Sequence, residues 1–241
     1  MARQSRHPPV LLTRPLPQGA RFAAMLRDRF GPGLRIVASP LLAPALRPGP
    51  PPPGPFAAVI LTSETGARAA ARWRDGLPRL AWCVGDRTAE VAAEGGFRAR
   101  SAAGDADALV AAILADPPPG PVLHLRGGDS RGDVAARLAA AGLPARDLVV
   151  YDQRAQPLTD EAAALLTGAA PVLAPLFSPR TAARLAAERD RLALPAPLVL
   201  VALSAAVAGA APPRAGDRAI LAARPDAAAM LEAVAAGLAT G

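Results

Sequence analysis

The sequence contains no lysine; all 27 of its basic residues are arginine. That excludes Schiff-base and pyridoxal chemistry, and it excludes a phosphate-binding loop that closes on a lysine. Cysteine occurs once, at Cys83, and histidine twice, at His7 and His124. One thiol and two imidazoles are too few for a zinc site or a disulfide framework, so no metal is expected. Aromatic residues make up 3% of the chain, and Tyr151 is the single tyrosine. The cores must therefore come from aliphatic side chains and close helix packing rather than from ring clusters. Long apolar runs are missing too. Val10-Leu11-Leu12 is the only apolar run ahead of Thr13, short of the roughly 7–15 residues of a signal-peptide core. The longest apolar stretch, Leu198 to Ala211, falls below the roughly 20 residues that span a bilayer. It reads as a buried strand running into a helix, and a cytoplasmic protein without a membrane segment is expected.

What is present is a chain of 241 residues with 51% hydrophobic content, enough for one large globular domain or two ordinary ones. The formal charge of +7 and a pI near 11.2 suit a polyanionic partner: nucleic acid, an acidic membrane surface or a multiply carboxylated ligand. Nucleic acid is disfavoured, because no aromatic stacking motif, zinc spacing or dense arginine run accompanies the charge. Nucleotide binding is disfavoured as well, since neither glycine-rich phosphate motif occurs at a strand-to-helix turn.

The chain repeats itself. The segment from Val10 recurs from Val122 at an offset of 112, which brings Arg14 onto Arg126, Leu26 onto Leu138 and Val37 onto Val149. Leu61 to Ala67 pairs with Leu176 to Ala182 at an offset of 115, and Cys83 to Ala89 with Leu200 to Ala206 at 117. Within each unit, short apolar runs such as Val59-Ile60-Leu61 lead into Ser, Thr or Gly turns and then Ala-rich helical patterns, the βαβ grammar of a parallel sheet. In such sheets ligands gather at the carboxyl ends of the strands, beside helix N-termini with free N–H groups. The runs Pro48 to Pro55 and Pro117 to Pro121 read as an extended surface loop and a spacer.

Six segments in order carry a resemblance: Thr13-Arg14-Pro15 closing the first strand, the Thr62-Ser63 turn, Gly85-Asp86-Arg87-Thr88-Ala89, Gly128-Asp129-Ser130-Arg131-Gly132, Tyr151, and Ser178-Pro179. Their ordered co-occurrence from Val10 to about Val234 is similar to the uroporphyrinogen-III synthase family. The resemblance implies an α/β fold of two flavodoxin-like parallel-sheet domains joined by a two-stranded linker, arising from an internal duplication. It further implies a discontinuous first domain, residues 1–37 and 155–241, and an inserted second one, residues 38–154. The implied activity converts hydroxymethylbilane to uroporphyrinogen III with loss of water, inverting the last pyrrole ring through a spiro intermediate. No metal or organic cofactor is implied. Hydroxymethylbilane is the implied substrate, with a transient contact to hydroxymethylbilane synthase, no nucleic-acid or membrane partner, and a monomeric state.

On that pattern Tyr151 is the expected catalytic residue, a phenol able to donate a hydrogen bond to the leaving hydroxyl; a bare strand-end tyrosine would otherwise read as packing. Ser63, Thr88 and Ser178 stand where strands turn into helices, as substrate-binding groups, as N-caps, or as both. Arg14 and Arg131 lie in early turns and Arg126 stands beside the glycine pair Gly127-Gly128, places that suit acetate and propionate groups. His124 reads as a strand residue. The turn Ala202-Leu203-Ser204-Ala205-Ala206 departs from the family's Gly-x-Thr-Thr-Ala pattern, lacking a glycine and a threonine, and leaves Ser204 as its binding group. That departure keeps a second reading open, a non-catalytic two-domain protein that binds a tetrapyrrole or other small ligand.

Overall fold

The computed structural model describes residues 7–49, 51–129 and 132–239. Two compact units divide the chain: Met1–Ala43 with Arg154–Gly241, and Pro44–Gln153. The first opens with β1 (Val10–Leu12), α1 (Gln18–Phe30) and β2 (Ile36–Ala38). The second runs through β3 (Leu42–Leu46), β4 (Ala58–Leu61), α2 (Glu64–Ala71), β5 (Leu80–Cys83), α3 (Asp86–Glu94), β6 (Arg98–Ser101), α4 (Ala106–Ala115), β7 (Val122–Gly127), α5 (Val134–Ala140) and β8 (Ala145–Ala155). The chain then returns to the first unit with α6 (Asp160–Leu166), β9 (Val172–Leu176), α7 (Pro179–Asp190), β10 (Leu198–Ala202), α8 (Ala205–Ala210), β11 (Arg218–Leu221) and α9 (Ala227–Leu238). It crosses between the units within β3 and within β8.

In the first unit the strand order is β11-β10-β9-β1-β2 with parallel pairing throughout. Successive side chains of a strand face opposite sides, and both sides here are covered. Leu11, Val172 and Leu200 pack with Leu166 of α6, Leu185 of α7 and Val207 of α8. Val10, Leu12, Leu173 and Val201 pack with Phe22 and Leu26 of α1 and with Met230 and Val234 of α9. Strands buried on both faces read as unbroken apolar runs, which is why VLL and LVLVA were legible without alternation. Close packing stands in for the scarce rings: a Cβ on Gly237 of α9 would sit 2.7 Å from Leu173 Cδ1, so glycine lets that helix lie tight on the sheet. The ladder between β1 and β9 holds at Val10 and Leu173 only. Beyond it lies Pro175, which has no N–H to give.

In the second unit the order is β3-β8-β7-β4-β5-β6. The run β8-β7-β4-β5-β6 is parallel. Arg47 N–H donates to Val150 O and Gln156 N–H to Leu41 O; one index rises as the other falls, so β3 lies antiparallel to β8. One face packs on α2 and α3 through Ala67, Ala70 and Val91, the other on α4 and α5 through Leu109, Ile113, Val134 and Leu138. Several helices start where the sequence supplies a capping side chain. Ser63, Asp105, Thr159, Ser178 and Asp226 each accept a backbone N–H from the first turn of the helix they open.

Cys83 ends β5 with no exposed surface, and burial pushes its thiol up to about 12. The thiolate is the reactive form. Native protein at pH 8 is therefore expected to resist an aromatic disulfide reagent and to label only when urea opens the fold. Rapid labelling without denaturant would contradict this packing.

Candidate active site

Both sheets reverse their strand order at one point, between β1 and β9 in the first unit and between β4 and β7 in the second. The carboxyl ends of strands flanking such a reversal are where doubly wound sheets take ligands. Arg14 follows β1 and Ser178 follows β9. Ser63 follows β4, and Arg126 with Gly127 closes β7. Four of the turns picked out in the sequence thus lie at the two reversals.

In the second unit, Ser63 and Tyr151 meet. Their hydroxyl oxygens are 3.0 Å apart, although 88 residues separate them. Ser63 also caps α2, its Oγ accepting the Gly66 N–H at 3.0 Å. Tyr151 is 8% exposed and packs with Leu61, Leu123 and Leu125. A register shift at the end of β7 sets Gly127 opposite Tyr151, and Gly128 N–H donates to Tyr151 O at 3.0 Å. A Cβ on Gly127 would fall 2.7 Å from the Tyr151 Cζ and 2.9 Å from its hydroxyl oxygen. Glycine there is what lets the ring lie across the strand end. Gly127→Ala is expected to displace the phenol. A shift of the Tyr151 ring signals in the NMR spectrum beside an unchanged far-ultraviolet circular dichroism spectrum would check it, and unmoved ring signals would contradict the placement.

Arg126 is half-buried and engaged. Its Nη1 donates to Gly127 O at 3.0 Å, and its Nε lies 3.1 Å from Asp147 Oδ2. Thr88 is not a cap: Gly85 holds that position, and Thr88 is buried in the first turn of α3. Arg131 lies outside the described residues.

In the first unit the Arg14 guanidinium stacks 4.2 Å over the ring of Phe177, the residue before Ser178. Phe177 meets Phe22 edge-on at 4.8 Å. This pins a cation beside the Ser178 turn. Ser178 Oγ accepts the Thr181 N–H at 3.2 Å and donates to Thr181 Oγ1 at 3.0 Å. Ser204 takes the cap position of α8 without a side-chain capping bond, and Leu203 N–H donates to Leu176 O at 3.0 Å, tying its turn to that of Ser178. No role for Gly127, Thr62 or Asp147 was legible in the sequence: Gly127 shows there only as half of a glycine pair and Thr62 only as the first residue of the Thr62-Ser63 turn, while the place of Asp147 depends on strand register.

Among the described residues no cluster of three or more His, Cys, Asp or Glu could hold a metal ion, and no helix is long and apolar enough to cross a membrane. Two doubly wound, largely parallel sheets, each with hydroxyl and guanidinium side chains at its own strand-order reversal, define a two-unit α/β protein. Residues 33–232 match the family described as uroporphyrinogen-III synthase HemD. The chain belongs to the uroporphyrinogen-III synthase family, and it is a cyclising lyase of porphyrin biosynthesis. Its fold is that of the uroporphyrinogen-III synthetase from Helicobacter pylori, at 16% identity and a TM-score of 0.65 over 95% of this chain and 99% of that one. A mutant uroporphyrinogen III synthase from the extremely thermophilic bacterium Thermus thermophilus also aligns, at 16% identity and a TM-score of 0.49 over 97% of this chain and 100% of that one. No curated protein sequence matches the chain.

Proposed function

We propose that Tyr151 is the group that assists departure of the substrate hydroxyl, with Ser63 as the residue that aims it. The carrying observation is the 3.0 Å contact between the two hydroxyls together with the capping bond from Gly66 N–H. The capping N–H occupies one lone pair of Ser63 Oγ. Either hydroxyl of the pair can be the donor; in the proposed relay the Ser63 O–H donates to Tyr151, which leaves the Tyr151 O–H to donate outward. Each bond in such a chain strengthens the next. In the reaction the substrate C–O bond breaks with its electron pair on oxygen, the hydroxyl takes the Tyr151 phenol proton and leaves as water, and positive charge spreads over the adjoining pyrrole as an azafulvenium; the proton released when the ring closes restores the phenol. The last ring then attacks through its substituted carbon, and inversion follows from the spiro intermediate.

Arg14, Arg126, Arg131, Ser178, Ser204 and Thr88 are proposed as contacts for the eight carboxylates. Thr88, being buried, would act through the N-terminus of α3. The proposal extends to catalysis without metal or organic cofactor, a monomeric protein in the cytoplasm, the domain boundaries near 37 and 155, an origin by duplication, and a transient contact with hydroxymethylbilane synthase. Family membership favours catalysis over the ligand-binding alternative.

A double-variant cycle tests the relay. Ser63→Ala should lower turnover roughly tenfold, and it should lose about 1 kcal/mol of stability with the cap. Combined with Tyr151→Phe it should add almost nothing to the loss from Tyr151→Phe alone. Fully additive losses would show that Ser63 does not act through Tyr151.

A further inference from the structure

Thr62 and Ser63 follow β4 and are tethered to opposite faces of the sheet, and only Ser63 belongs to the relay above. Thr62 Oγ1 lies 3.1 Å from His124 Nε2, and His124 Nδ1 lies 2.8 Å from Asp147 Oδ1. Register aligns Ile60, His124 and Asp147 across β4, β7 and β8, and a side chain two residues beyond Ile60 shares its face. His124 is 1% exposed, whereas the Asp147 side chain is 38% exposed. A carboxylate can only accept, so Nδ1–H of His124 donates to Asp147. Burial holds the imidazole below its usual pKa against the opposing pull of Asp147, so at neutral pH it is neutral and Nε2 carries a lone pair. The Thr62 hydroxyl then has one direction to donate, into the sheet towards His124. What remains on its oxygen is lone pairs, and Thr62 meets a ligand as an acceptor.

We infer that the Asp147–His124 pair is a positioning device for the reaction, fixing Thr62 as a hydrogen-bond acceptor for a pyrrole N–H of the substrate. This rests on the proposal that the substrate lies at the carboxyl end of β4. Most polar groups of an eight-carboxylate tetrapyrrole are themselves acceptors; its pyrrole N–H groups are the donors that a fixed acceptor selects. As the hydroxyl departs, positive charge reaches the pyrrole nitrogen and its N–H becomes a stronger donor. The contact therefore tightens in the transition state, and its loss falls on kcat rather than KM.

Nitrogen-15 NMR of the wild-type protein reads the tautomer without any substitution, because only His7 and His124 contribute. His124 should be neutral with its proton on Nδ1. Kinetics with freshly generated hydroxymethylbilane form the second arm. Thr62→Val should lower kcat at least tenfold with little change in KM, and Thr62→Ser should recover most of that loss. Asp147→Asn changes an exposed carboxylate; it also removes the charge beside Arg126 Nε, an effect on carboxylate binding that falls on KM, while its amide can donate to Nδ1, move the proton to Nε2 and turn the Thr62 hydroxyl outward. It should shift the tautomer and lower kcat several-fold. Thr62→Val with Asp147→Asn should be no slower than Thr62→Val alone. A wild-type His124 protonated on Nε2, full activity in Asp147→Asn, or additive losses in the pair would overturn the inference while leaving the synthase reading intact. A wild-type protein that forms no type III isomer would overturn both.

Discussion

Tyr151→Phe is expected to cyclise hydroxymethylbilane about 10²-fold more slowly than the parent, the low end of what a positioned proton donor contributes. The substitution removes one oxygen from a ring that is otherwise held by packing. Leu61, Leu123 and Leu125 still surround it, the Gly128 N–H still donates to the backbone carbonyl of residue 151, and the ring plane is still set by Gly127. KM should change little, because leaving-group assistance is realised in the transition state. The freed Ser63 hydroxyl keeps its capping bond from Gly66, so the thermal midpoint should stay within a few degrees of the parent. Stopped-flow or quenched kinetics at saturating substrate would measure the loss. Turnover equal to the parent's would remove Tyr151 from the chemistry.

Asp217→Ala is expected to destabilise the first unit by about 3–5 kcal/mol, the usual result of removing one partner from a buried ion pair. Arg189 and Asp217 are buried together, their side chains 4% and 0% exposed. The carboxylate accepts four hydrogen bonds: Arg189 Nη1 at 2.7 Å, Arg189 Nη2 at 3.0 Å, Leu198 N at 2.8 Å and Arg214 N at 2.9 Å. It thereby joins the end of α7, the start of β10 and the loop into β11. Alanine would leave a buried guanidinium without its counter-charge and two backbone N–H groups without acceptors. Domains hold only about 5–15 kcal/mol in total, so the loss is a large share. Urea unfolding followed by far-ultraviolet circular dichroism is the suitable readout, because Trp73 and Trp82 both lie in the other unit. Acid adds a second signature. Burial pushes the Asp217 carboxyl up, but the bonds from Arg189, Arg214 and Leu198 outweigh it and hold the folded pKa below the ordinary value. Its stabilisation is therefore complete above the unfolded-state pKa of about 3.9 and is lost as pH falls through the depressed folded value. The parent should lose this component below about pH 4, and the variant should lack it at every pH. A midpoint unchanged by the substitution would contradict the joint.

The parts of the fold that sequence made legible are those whose physics is local. Strands such as Val10–Leu12, Ala58–Leu61 and Leu198–Ala202 announce themselves because burial on both faces forces unbroken apolar runs. Ser63 and Ser178 announce helix starts because a cap needs a short hydroxyl side chain at that position. The edge strands Arg98–Ser101 and Arg218–Leu221 carry arginines and are mostly exposed, so no apolar pattern marks them. Thr88 sits inside α3 because Gly85, with no side chain to signal a cap, opens that helix. Register is the least local property of all. Nothing near His124 in the sequence says that Asp147 stands beside it, and the Ser63–Tyr151 contact depends on a one-residue shift at Gly127. Tyr151 was legible only through the ordered motifs of its family.

Purified protein supplied with freshly generated hydroxymethylbilane, followed by oxidation and chromatographic separation of the porphyrin isomers, reads out whether this chain makes uroporphyrinogen III. The arrangement of Tyr151, Ser63 and the arginine-bearing turns predicts type III in large excess over a protein-free control, with that excess sharply reduced in Tyr151→Phe. Type I alone, formed at the uncatalysed rate, would contradict it.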